Sequence, residues 1–254
     1  MAKTSKKQKK QDQIPNKFYS QEPFNFCDHW CERCNLVDQC QVFQHAFSHH
    51  LEHMVRGEDP NDPAIILADI KKTFHYLVTT IQKDIKKQGL DSQKVKIRLV
   101  KTGLNQGPNP ESFSLWRLGH NFMIQSRDFL QNIFSEKDGD LQEMFIKHKK
   151  KIEELNWYHT FFENKLYQAL VIQKAFENEK NKAFKQIQEQ EMNVSAKLCF
   201  YSLQACQISL EELSQDCLGY IKWTRDLSIL SKSILEKIET KFPNYHQKKI
   251  IFHG

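Results

Sequence analysis

Four cysteines stand within fourteen residues, Cys27, Cys31, Cys34 and Cys40, in the stretch FCDHWCERCNLVDQCQVF at residues 26–43. The chain holds only three others, Cys199, Cys206 and Cys217. The spacing C-x3-C-x2-C-x5-C lets four thiolates reach one small centre. Soft thiolate sets select zinc or iron–sulfur clusters. A structural zinc takes four tetrahedral ligands at about 2.3 Å. Zinc modules mostly present them as two paired knuckles, and only Cys31 and Cys34 form such a C-x2-C pair here. A [4Fe–4S] cube is larger, takes one thiolate at each iron corner and is wrapped by loops of unequal spacing. Disulfides are the third option, which a reducing compartment disfavours. Phe26, Trp30 and Phe43 flank the loop, and aromatic side chains there would exclude water around either kind of centre.

The last three cysteines with their filling, CERCNLVDQC, resemble the iron–sulfur loop of endonuclease III-type DNA glycosylases, which closes in C-x2-C-x5-C. Those loops often carry Pro-Leu or a similar pair where Asn35-Leu36 stands. The resemblance is confined to residues 27–40, and the first gap, three residues long, is shorter than the family's. It implies a [4Fe–4S] cluster on Cys27, Cys31, Cys34 and Cys40. It does not imply glycosylase activity, because the chain lacks the Gly-rich helix-hairpin-helix of those enzymes. The first gap also matches the C-x3-C-x2-C ligand spacing of radical SAM enzymes. Those require a β/α barrel whose strands are missing from this sequence.

A second set of candidates comes from charged residues on apolar helical faces. Lys165 lies on the Tyr158/Phe162/Ala169 stripe, Lys197 among Val194, Tyr201 and Ile208, and Asp226 between Trp223 and Leu230. An isolated buried charge costs several kcal/mol, so inward groups must pair or line a cavity. Lys165, Lys197 and Asp226 are therefore the candidate catalytic residues of a core polar centre. The alternative is that the lysines snorkel to the surface. His50 and His120 also fall on apolar faces. His45, His49 and His53 step by four, but His45 lies about 200° round the helix from Phe43, which places this row in solvent. A di-iron carboxylate bundle would need inward E-x-x-H pairs, and the chain has none; His159 and Glu163 are the nearest substitute. Cys199, Cys206 and Cys217 share a face, but a step of seven residues is about 10.5 Å, too long for one ion, so they read as core. No phosphate-cradling glycine loop and no nucleophile motif is present.

The elements that must position these groups are helices. The chain has 254 residues with eight Gly and seven Pro, few for an all-β fold. Phe43, Phe47, His50, Leu51 and Met54 form one face of a helix that starts near Leu36 and ends at Gly57. GEDPNDP is a turn, with Asp62 as N-cap and Pro63 at the first helical position. The next helix runs to about Gln88, with Leu67, Ile70, Phe74, Leu77, Val78, Ile81 and Ile85 inward. KVKIRLVK at residues 94–101 alternates like a strand, either alone or paired with KKIIFHG near residue 254. A third helix covers residues 111–134. From Gly139 to Gly219 nothing breaks helix; the pattern gives helices over residues 141–188 and 193–217, with NEKNK as a kink. The last helix carries Trp223, Leu227, Leu230, Ile234, Ile238 and Phe242 and stops at Pro243.

The expected fold is all-α, an irregular bundle of five to seven helices with an N-terminal four-cysteine metal loop. Residues 1–17 form a disordered basic tail, residues 18–60 the metal loop and first helix, and residues 61–254 the helical bundle packed with the loop as one domain. The net charge of +6 belongs mainly to the tail, which holds six Lys and one Asp. Such a segment can touch nucleic acid or an acidic partner, or simply solubilise the chain. No apolar run approaches a membrane span and no secretory h-region is visible, so the expected compartment is the cytoplasm. The expected function is an iron–sulfur protein of unassigned reaction, its cluster structural or redox-active. The alternatives are a zinc-stabilised interaction or nucleic-acid-binding protein, and a helical-bundle enzyme with the Lys/Asp site.

Overall fold

Between Gly139 and Gly219 neither glycine nor proline interrupts the chain, and this run folds into two long antiparallel helices. The computed structural model describes residues 23–87, 107–135, 139–216 and 218–254. The fold is all-α, with six helices among the described residues: α1 (Gln41–Val55), α2 (Pro63–Lys87), α3 (Ser114–Ser135), α4 (Gly139–Asn178), α5 (Lys182–Asp216) and α6 (Ile221–Lys241). Among the described residues there is no strand, only an isolated parallel bridge between Cys27 and Ile251. No helix among them is long and apolar enough to cross a membrane.

Helices α3 to α6 make the bundle. α4 packs along α5, α5 along α6, and α3 closes the ring against α4 and α6. Their apolar stripes meet in one core: Phe122 and Phe129 from α3, Tyr158 and Phe162 from α4, Leu203 and Leu210 from α5, Ile234 and Ile238 from α6. Each such buried side chain stabilises by about 1.5–3 kcal/mol. Gly119 allows the close approach of α3 to α4. A Cβ there would lie 2.8 Å from Leu166 Cδ2 and 3.3 Å from the Phe162 ring.

The break in the long run falls where the sequence is most polar, not near residue 190. α4 ends at Asn178 and α5 begins at Lys182, so NEKNK is a joint between two helices and not a kink within one. Asn181 caps α5, its side chain accepting from the Phe184 N–H at 3.3 Å. α4 itself kinks at His148, where φ is −108° and ψ 16°.

The α1–α2 hairpin departs from expectation. Gly57 ends α1 in the left-handed region (φ 73°), and the Asp62 side chain accepts from the Ala64 N–H at 2.8 Å at the start of α2. Yet the apolar face of the hairpin is not turned inward. Phe47, Leu51 and Met54 are 40–50% exposed, and Leu67, Ile70 and Phe74 are 52–68% exposed. His50, expected inward, is exposed too. His53, expected in solvent with His45 and His49, is the one buried residue of α1. Its Nδ1 meets Glu58 at 2.6 Å and its Nε2 meets Asp69 of α2 at 2.9 Å. The segment 94–101, the tail, Cys217 and the side chains of Leu77, Ile81 and Ile85 lie outside the described residues.

Candidate metal centre

The cysteine loop is too rich in turns to hold a helix. It folds as three short 3-10 turns, Pro23–Phe26, Cys31–Arg33 and Val37–Gln39. Cys27 follows the first turn and Cys31 opens the second. Cys34 closes that turn with its N–H on Cys31 O at 3.1 Å, and Cys40 closes the third with its N–H on Val37 O at 3.3 Å. All four thiols are free, so no disulfide competes for them. Cys40 is buried and the others are half-buried.

The four side chains feel one another. Burial pushes the Cys27 thiol up to about 11, and the charges of Asp28, Cys31 and Cys34 add to the rise while the His29 N–H opposes it. Cys31 is raised as well, by burial first and then by Cys40, Glu32, Cys34 and Asp28. The Cys34 sulfur has a backbone donor two residues ahead, the Leu36 N–H at 3.4 Å, and the Cys27 thiol faces the Phe24 carbonyl at 3.8 Å. N–H donors of this kind stabilise thiolate and tune a bound cluster. Four free thiols on one loop, with a backbone donor at Cys34, are the donor types that a cationic centre takes, in deprotonated form. Among the described residues, no three His, Cys, Asp or Glu side chains are gathered tightly enough to hold a single ion.

The bundle fixes the loop from below. Trp30 is buried, stacks on Trp157 with centroids 5.4 Å apart and meets Tyr158 edge-on. Arg33 lies 3.6 Å over the Trp30 ring and reaches Glu153 at 3.2 Å and the buried Glu154 at 3.5 Å. Lys151 satisfies the other Glu154 oxygen at 2.8 Å. His29 is the one described non-glycine residue with positive φ, 57°. Its ring stacks on Phe24 at 4.1 Å and its Nε2 meets the Phe24 carbonyl at 3.0 Å.

The chain near residue 251 fixes the loop from above. The Ile251 N–H donates to Phe26 O at 2.8 Å, and the Asp28 N–H donates to Ile251 O at 3.1 Å. KKIIFHG therefore pairs with the cysteine loop. Asp28, wholly buried between Cys27 and Cys31, accepts from Tyr158 OH at 2.6 Å and from the His253 N–H at 2.7 Å. His253 Nδ1 meets its other oxygen at 2.8 Å, and the Trp30 N–H lies 3.3 Å from that oxygen. Asp28, Tyr158 and His253 were not evident as a group in the sequence. The available signal was an acid placed between two cysteines of the cluster and flanked by aromatics.

Lys165, Lys197 and Asp226 do not form one polar centre. Asp226 is exposed on α6, because the stripe through Trp223 and Leu230 grazes the surface there. Lys197 turns to backbone, donating to His246 O at 3.1 Å and to Lys248 O. Lys165 borders the cysteine loop instead. Burial pulls its pKa down and the nearby Cys27 opposes this, while its own charge adds to the burial that lowers His29. His120 stacks on Trp116 and holds Glu163 at 2.8 Å at the edge of the bundle. Cys199 and Cys206 are wholly buried, and burial pushes both thiols far up, as inert core cysteines should be. No protein family, curated protein or solved structure matches the chain.

Proposed function

We propose that this is a metal-cluster protein of a reducing, cytoplasmic compartment, holding a [4Fe–4S] cluster on Cys27, Cys31, Cys34 and Cys40. The observation that carries this reading is the set of four free thiols within fourteen residues, on a loop that Trp30 and Asp28 anchor to the bundle. The Leu36 N–H, 3.4 Å from the Cys34 sulfur, is a donor of the kind that surrounds cluster ligands. A lone zinc needs all four sulfurs about 2.3 Å from one point. A cube takes one thiolate per corner and is wrapped by loops of unequal spacing, and the gaps between these four cysteines are three, two and five residues. When bound, the cluster supplies cross-links between four points of an otherwise irregular loop, or a one-electron redox centre. Trp30, Arg33 and Asp28 orient the loop for it, and the Trp30–Trp157 stack excludes water from one side. The Lys-rich tail is the proposed contact with nucleic acid.

Protein purified without oxygen should be brown, with a broad absorption band and about four iron per chain. Cys27→Ser should lose the metal, whereas Cys206→Ser, at a core position, should retain it. Colourless protein with one zinc per chain would replace the redox-capable reading with a structural one.

A further inference from the structure

The segment Ile250–Gly254 has no secondary structure of its own, and its partners are concentrated at the cysteine loop. Its backbone pairs with Phe26 and Asp28, the two residues that flank Cys27. His253 gives two contacts to the Asp28 carboxylate, one from its N–H and one from its ring. Phe252 stacks on Tyr158 at 4.9 Å and leans on Tyr201 at 5.7 Å. Lys197 grips the carbonyls of His246 and Lys248, which delivers the segment to this position. All of the polar anchors of residues 251–253 therefore depend on where the backbone of residues 26–28 lies.

That backbone is irregular. It is set by short 3-10 turns and one left-handed residue, His29, not by a helix. A loop of this kind has few hydrogen bonds of its own to resist opening. The segment that pairs with its edge closes it, and a centre bound by its four cysteines would close it too. When two ligands favour the same closed state, each strengthens the other by the same factor.

We propose, building on the metal-centre reading, that residues 250–254 are a strap coupled to metal occupancy of the cysteine loop. The strap is docked while the loop holds its metal and released when the metal is lost. Asp28 is the positioning residue of this device. It joins the two halves because its carboxylate is wholly buried and half of its donors come from His253. Strap release would take away two of the four donors of that buried carboxylate, so the loop edge and the strap open together. Loss of metal thereby becomes a change in accessibility of Ile251 and Phe252, two apolar residues now half-buried against the bundle.

The test is amide hydrogen exchange on the full chain, loaded anaerobically with iron and sulfide in one arm and with zinc in another. Each arm is compared with protein stripped by a chelator under reductant. Stripping should speed exchange in residues 250–254 and 26–29 by about tenfold, inside the 5–150-fold range of coupled sites. Core amides of α5 should not change. Reciprocally, His253→Ala and Asp28→Asn should release metal to a chelator about tenfold faster than wild type. The exchange comparison needs no variant, so a misfolded Asp28→Asn leaves the test intact. Metal-loaded and stripped chains with the same strap exchange would overturn the coupling and leave the metal centre standing. A chain that binds neither centre in any arm would overturn both.

Discussion

Asp28 is a carboxylate removed from water, and its position is tolerable only because several donors converge on it. Taking an ionised carboxylate out of water costs several kcal/mol, and charge-assisted hydrogen bonds offset that cost only when its oxygens are satisfied. Tyr158 is one of those donors. Burial pushes its phenol above the ordinary tyrosine value, and the bond to Asp28 adds to the rise, so it stays a neutral O–H. Tyr158→Phe keeps the ring stacked and removes only that bond. It should cost about 1.5–3 kcal/mol, the size of a hydrogen bond to a charged group. The measurement is a lowered urea midpoint at unchanged slope. Tyr201→Phe, at a half-exposed ring without such a partner, should shift stability by less than about 0.5 kcal/mol. The contrast with the cysteines explains what was legible at this scale. The four thiols declare themselves because their spacing is local. Asp28 does not, because Tyr158 and His253 lie 130 and 225 residues away in sequence.

Helices α3 to α6 were legible because a buried stripe is set by many residues at once, and an error at one position does not move the face. The joint at NEKNK was harder to place, since without glycine or proline only polarity and the Asn181 cap mark it. In α1 and α2 the periodicity identified which residues share a face, but not which way that face points. Direction depends on what the hairpin packs against, and its visible clasp is His53 between Glu58 and Asp69. That clasp should respond to pH. The His53 pKa is raised, by the Glu58 bond first and the Asp69 bond second. A raised folded-state pKa contributes stability that is complete below the unfolded value of about 6.5 and is lost as pH climbs through the folded value. Arg56 also reaches the Glu58 carboxylate, at 3.9 Å. Amide exchange at Gly57 and Glu58, corrected for its intrinsic pH dependence, should therefore report more opening at pH 8 than at pH 6. In His53→Gln the difference should vanish. Equal opening at both pH values in the wild type would mean the proton on His53 does not hold the hairpin.

At the scale of the whole molecule, charge and topology separate cleanly. Residues 1–17 carry +5 of the net +6, and the remaining sequence carries +1. Phe26 and Asp28 meet Ile251 and His253, so the bundle is tied between two segments far apart in sequence. The tail precedes this tie in the sequence. It has only Met1, Ala2 and Ile14 as apolar residues, too few to stabilise a fold, so removing it should leave helicity, urea midpoint and metal content unchanged. Its effect should appear in binding. Each phosphate neutralised contributes about −0.9 to the slope of log affinity against log salt on duplex DNA. The six lysines of the tail therefore set a ceiling of about −5 on the slope it can supply. Fluorescence anisotropy with a labelled duplex, run through a salt series on the full chain and on a chain lacking residues 1–17, measures both quantities. The expected result is that the deletion removes most of the affinity and most of the slope together, because a nearly neutral body has no comparable field to replace it. If binding persists with its slope intact, the phosphates are being met by lysines of the helices, and the tail is a solubilising arm.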